Sequence, residues 1–130
     1  MLVRYLTGEP PHMADVSAQV IDGEGQLLVT DVVLVETAYV LTAVYGVARE
    51  AVVDHLIALL RKANIDTFRL DKDLVLEALL LCRPSGRVSF ADALVWAAAR
   101  SEAGAGVYSL DERFPDAGIT VLRSARGEAL

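Results

Sequence analysis

The sequence predicts an α/β fold, a parallel sheet flanked by helices, and three observations carry that prediction. Short runs of β-favouring aliphatic residues recur along the chain, each bounded by glycine or a polar turn. Between them lie longer segments whose apolar residues return at helical spacing. Thr, Asp or Ser residues stand at the starts of several of those longer segments, where helix caps are needed.

Leu2 to Leu6 is a short apolar piece that ends at "TGEPPH", a break made by two adjacent prolines. His12 to Asp22 reads as a helix stopped by "DGEG". Leu27 to Val29 reads as a short strand, and "TD" at Thr30 and Asp31 offers an N-cap for a helix over Val32 to Tyr45, which Gly46 ends. Arg49 to Ala63 is amphipathic, with Val53, Leu56, Ile57 and Leu60 on one face. Ile65 to Arg69 reads as a strand. Asp71 to Cys82 reads as a helix closed by "RPSG", with Asp71 and Asp73 as capping residues. Ser89 caps a helix running to Ala103, where Gly104 and Gly106 stop it. Val107 to Leu110 and Ile119 to Leu122 are the last two strands.

At 130 residues the chain is expected to form one domain, large enough to bury its own core. Hydrophobic residues make up 54% and the mean hydropathy is +0.41, an apolar surplus of the kind that a partner covers. The most apolar window, Leu27 to Ala48, is interrupted by Asp31, Glu36 and Gly46 and fails as a membrane span. No secretory leader is visible at the N-terminus. The single cysteine, Cys82, excludes an internal disulfide and a cysteine-based zinc cluster, and points to a reducing cytoplasm and a core thiol. With 12 Lys and Arg against 18 Asp and Glu, the net charge of −6 argues against nucleic-acid binding by bulk electrostatics. It leaves open a nuclease whose metal and a few arginines handle the phosphate.

In parallel α/β sheets the ligand crevice lies beyond the carboxyl ends of the strands. That rule singles out Asp111, directly after the Val107–Leu110 strand; Glu36, one to two turns into the helix after the first strand; and Asp92, in the first turn of another helix. Each has an ordinary reading beside it. Asp92 is a common first-turn carboxylate, favoured by the helix dipole by about 0.3–1 kcal/mol. Asp111 is a common turn residue in "LDERFPD". Glu36 interrupts "VVLVETAYVLTAV" and lies either on a solvent stripe with Thr37 and Thr42 or in the interior for a reason. His12 and His55 lack metal-ligand spacing and read as surface residues. No nucleophile elbow, phosphate-cradling glycine loop or zincin motif is present. Trp96 reads as core or interface packing. Arg4, Arg83, Arg87, Arg100 and Arg113 lie on segments able to approach the crevice.

Taken together, "RYLTGEPP" at Arg4–Pro11, "VTDVVLVETAYVL" at Val29–Leu41, "SFADALVWAAA" at Ser89–Ala99 and "VYSLDERF" at Val107–Phe114 resemble the PIN-domain family, specifically the VapC-type toxin ribonucleases of toxin–antitoxin pairs. Each motif is short and mostly aliphatic; the ordered set is far more specific. The resemblance implies a PIN-like three-layer sandwich and an endoribonuclease dependent on Mg²⁺ or Mn²⁺. Glu36, Asp92 and Asp111 would then be its catalytic metal ligands, with Ser109 giving a supporting hydrogen bond; of the arginines near the crevice mouth, Arg113 is the one expected to hold phosphate. It also implies an RNA substrate, a homodimer and a VapB-type antitoxin laid across the crevice. Such domains open on a strand that ends in an Asp, and "VRYLTGEPP" resembles the segment that normally comes after that strand. The expectation is therefore that the first strand and first acidic ligand are lacking, as a start codon set too far downstream or a shortened chain would leave them. Loss of that strand should expose ladder groups and apolar surface on its neighbours. A rival reading is a catalytically impaired PIN-like domain that binds RNA or a partner without cutting. An unrelated phosphotransfer receiver would also gather carboxylates at strand ends, but it uses a lysine late in the chain and none occurs after Asp111.

Overall fold

The computed structural model describes residues 1–124, which divide into two compact units, Met1–Arg69 and the residues from Leu70 onward. The first unit holds helices α1 (Leu2–Thr7) and α2 (Pro11–Ile21), strand β1 (Leu27–Val29), helices α3 (Asp31–Ala43) and α4 (Arg49–Leu60), and strand β2 (Ile65–Thr67). The second holds α5 (Lys72–Cys82), α6 (Phe90–Ser101), β3 (Gly106–Tyr108) and β4 (Thr120–Leu122). The architecture is α/β with parallel strands. The expected sheet is present as two two-stranded parallel pairs, β1 with β2 and β3 with β4.

In the first unit α1 lies against α2 and α3, α3 against α4, and α4 against β2. The apolar piece at the N-terminus is helical. It ends at Gly8, whose φ of 73° is a left-handed conformation that suits a residue without Cβ, and Pro11 opens α2 at its first position. Thr30 caps α3 as expected, its hydroxyl accepting from the Val33 amide at 3.2 Å. On α3 the buried residues Leu34, Thr37, Ala38 and Leu41 repeat at helical spacing. Thr37 therefore belongs to the core stripe and not to a solvent stripe, because its hydroxyl donates to the Val33 carbonyl at 2.7 Å and needs no water. On α4 the buried face is wider than the four residues expected, since Val52 and Leu59 are also buried.

Asn64, which carries no sequence signal of its role, closes the "DGEG" turn. Its amide nitrogen donates to the carbonyls of Ile21 at 2.9 Å, Gly23 at 3.0 Å and Gly25 at 3.2 Å. Asn64→Ala leaves these carbonyls short of a donor and is expected to destabilise the protein by about 2 kcal/mol, read as a lowered thermal midpoint. Asn64→Asp should cost at least as much, because a carboxylate has no donor to offer them.

Beside this turn, Asp22 Oδ1 accepts from Tyr5 Oη at 2.7 Å and pairs with Lys62 Nζ at 2.8 Å. The Lys62 and Tyr5 hydrogen bonds hold the Asp22 carboxyl below its ordinary value, while the bond to Asp22 raises both Tyr5 and Lys62. The signs set two limits. Asp22, with its folded pKa depressed, contributes stability above about pH 4 that is lost as pH falls through the folded value. Tyr5 and Lys62, with theirs raised, contribute stability below about pH 10 that is lost as pH rises through their folded values. Asp22→Asn should therefore flatten the fall in thermal midpoint at both ends of the pH range.

In the second unit α5 packs on α6. Asp71 caps α5 through bonds from Asp73 N–H at 2.9 Å and Leu74 N–H at 3.2 Å. Val75, Ala78, Leu79 and Cys82 form its buried stripe, so the thiol is part of the core. Trp96, on α6, is buried and its Nε1 donates to the Ala117 carbonyl at 2.9 Å. Arg100 lies over the same ring and donates to the same carbonyl at 3.4 Å. Gly118 makes room for it: φ is 74°, and a Cβ there would overlap the Arg100 guanidinium. Gly118→Ala is expected to cost about 1–2 kcal/mol through the left-handed backbone alone, and near-ultraviolet circular dichroism should report the disturbed indole.

The strands are short, and among the described residues each pairs with one other. Leu27 N–H donates to Asn64 O and Val29 O accepts from Phe68 N–H, so Leu28 turns its peptide groups away from β2. Leu28 is 64% exposed and Tyr108 on β3 is 67% exposed. No described helix is long and apolar enough to cross a membrane.

Candidate metal centre and its arginine

The best-defined part of the site lies beyond the carboxyl ends of β3 and β4. The ladder extends one residue past Tyr108, because Ser109 N–H donates to Leu122 O at 3.1 Å. Strand β3 itself stops at Tyr108, so Asp111 is not directly attached to it as expected; Ser109 and Leu110 intervene. Leu110 is 86% exposed and does not belong to the ladder. Ser109 joins strand to turn: its hydroxyl accepts from the Asp111 amide at 3.1 Å, and its carbonyl accepts from Arg123 Nη1 at 3.4 Å. A hollow of about 310 Å³ sits here, lined by Tyr108, Ser109, Leu110, Leu122, Arg123 and Ser124.

Asp111 is held in place by its own turn. Its Oδ1 accepts from the Arg113 amide at 2.8 Å and from Arg113 Nε at 3.3 Å. The backbone N–H of Arg113, then its guanidinium and the positive charge of Arg123, hold the Asp111 carboxyl below its ordinary value. It is ionised at neutral pH and offers a charged oxygen without having to lose a proton.

Asp92 is the third residue of α6, and its amide donates to the Ser89 hydroxyl at 3.0 Å, the expected cap. Its half-exposed carboxylate accepts no hydrogen bond among the described residues. Glu36, in the first unit, is exposed on α3, on the opposite side from the Leu34–Leu41 core stripe. It is therefore not interior, and its neighbours Val32, Val33 and Tyr39 are exposed as well, so its face of the helix is apolar apart from the carboxylate.

The donor chemistry suits a hard cation, since Asp92 and Asp111 supply charged oxygens with unused lone pairs. No group of three or more His, Cys, Asp or Glu side chains among the described residues is placed to hold a metal ion. One or two carboxylates completed by several waters is a donor set that Mg²⁺ accepts. His12 and His55 are exposed, as expected. Arg100 is engaged with Trp96 and Ala117, and Arg4 donates to the Glu9 carbonyl at 3.5 Å. Arg123 was not among the arginines singled out from sequence. Its position directly after β4, at a strand's carboxyl end, was the available signal.

A parallel α/β fold with carboxylates near the end of a strand and the start of a helix is shared by several classes of protein, metal-assisted enzymes among them. The chain belongs to the PIN domain family, whose model matches residues 1–119. PIN domains are generally metal-dependent nucleases. No curated protein and no solved structure matches the chain.

Proposed function

We propose that the protein is a metal-dependent endoribonuclease that hydrolyses RNA phosphodiester bonds and serves as the toxin of a VapC-type toxin–antitoxin module. The observation that carries the reading is Asp111: a carboxylate fixed by its own turn at a strand's carboxyl end, charged at neutral pH, in a chain that the PIN family spans over residues 1–119. Glu36, Asp92 and Asp111 are the proposed ligands of Mg²⁺ or Mn²⁺. When bound, the metal would supply Lewis-acid stabilisation of the phosphate and a water of lowered pKa.

The protein's own groups have separate tasks in this reading. Asp92 and Asp111 present charged oxygens, and the first turn of α6 favours the negative charge of Asp92. Ser109 fixes the turn that aims Asp111. Arg113 and Arg123 supply positive charge for the RNA backbone, and an unpaired strand or loop gives that backbone the necessary access. A VapB-type antitoxin, a homodimer and a cytoplasmic setting complete the proposal. The apolar residues exposed on α3 and at Leu28 and Tyr108 support burial against partners.

The test is cleavage of labelled single-stranded RNA by the purified protein with Mn²⁺. Cutting that stops with a chelator and returns with added metal supports the reading. Binding of the RNA without cutting, at saturating Mn²⁺, would favour the rival binding domain.

A further inference from the structure

The arginine on Asp111 has a consequence for metal binding. Asp111 Oδ1 is occupied twice by one residue, through the backbone N–H of Arg113 and through its Nε, while Oδ2 accepts no bond among the described residues. The two contacts differ in kind. The backbone bond belongs to the turn and does not depend on the Arg113 side chain. The guanidinium contact, at 3.3 Å, is made by a side chain 62% exposed to one 38% exposed, and it is the only ion pair of Asp111 among the described residues. Exposed pairs of this sort are weak and exchange readily. Arg123 is placed differently, anchored to the Ser109 carbonyl and not to the carboxylate.

A divalent cation on this carboxylate would meet a positive guanidinium at contact distance, and like charges so close repel. The side chain is long and solvated, and its planar fork matches a phosphate as well as a carboxylate. We propose that Arg113 is a counter-cation built into the chain: it neutralises Asp111 in the free protein, competes there with the metal, and is released by metal binding to hold the RNA phosphate. The proposal rests on Asp111 being a metal ligand. Release leaves the backbone bond in place, so the carboxylate keeps its aim while the guanidinium moves.

The test compares the full chain with Arg113→Gln, Arg113→Lys and Asp111→Asn. Mn²⁺ binding is measured by calorimetry without RNA, and KM and kcat are then measured with RNA. Arg113→Gln should bind Mn²⁺ about two- to fivefold more tightly, the range that loss of an exposed ion pair allows. The same variant should raise KM about tenfold with a smaller change in kcat, because a phosphate contact is lost. Arg113→Lys, which keeps the charge, should bind Mn²⁺ close to the parent's affinity. The opposite signs for metal and RNA are the signature. Weaker Mn²⁺ binding by Arg113→Gln would show that the guanidinium only orients Asp111 and would overturn the proposal, as would no change in either quantity. Asp111→Asn separates the two levels: if it binds Mn²⁺ as the parent does, or if the parent binds none, the ligand reading itself fails and the proposal falls with it.

Discussion

Asp92→Asn and Asp111→Asn should each lower Mn²⁺-dependent RNA cleavage by about 100-fold or more, equivalent to about 2.7 kcal/mol of transition-state stabilisation. The substitution keeps the shape of the side chain and removes its charge, so the loss reports on electrostatics and not on packing. At Asp111 the Asn carbonyl oxygen can still accept the Arg113 amide, and the turn is retained. At Asp92 the change forfeits the favourable dipole interaction, worth about 0.3–1 kcal/mol, while Ser89 still caps the helix. Both variants should therefore fold, with thermal midpoints close to the parent's. Equal cleavage by the parent and both variants would mean that the activity belongs to a contaminant or that neither residue is a ligand.

Trp96→Ala should be the most destabilising single change, at about 3–5 kcal/mol. The indole is 2% exposed, its N–H is bonded to Ala117, and its ring lies under Arg100. Truncation opens a cavity beside α6, the helix that carries Asp92 in its first turn. A loss of this size is a large share of the roughly 5–15 kcal/mol by which domains are usually stable. Trp96→Phe distinguishes ring from hydrogen bond. It keeps most of the apolar volume, and Arg100 still donates to the Ala117 carbonyl, so its cost should be nearer about 1 kcal/mol. Urea denaturation of the three proteins would give both values.

Most of the helices were legible in the sequence because local signals agreed with the packing. Thr30, Asp71 and Ser89 cap the helices they precede, and the buried positions of α5 repeat with the periodicity of the chain. The N-terminal helix α1 was not legible, since six residues give too few turns for periodicity to register. Strand pairing was less visible still. Three-residue strands show which segments are extended but carry little register information, so a continuous sheet and two separate pairs read alike. Asp92 and Asp111 stood out through their places near a helix start and a strand end. Arg113's hold on Asp111 did not, because a two-residue spacing in a turn does not say where a long side chain goes. Asn64 was invisible for a similar reason: its three acceptors lie about 40 residues away in sequence.

The central proposal is that Glu36, Asp92 and Asp111 are ligands of Mg²⁺ or Mn²⁺. Calorimetric titration of Mn²⁺ into the parent and into Glu36→Gln tests it without reliance on an RNA substrate. Glu36 is exposed, so the variant should fold as the parent does. One binding event is expected in the parent, weakened about tenfold or more in Glu36→Gln. Unchanged affinity and stoichiometry in that variant would contradict it.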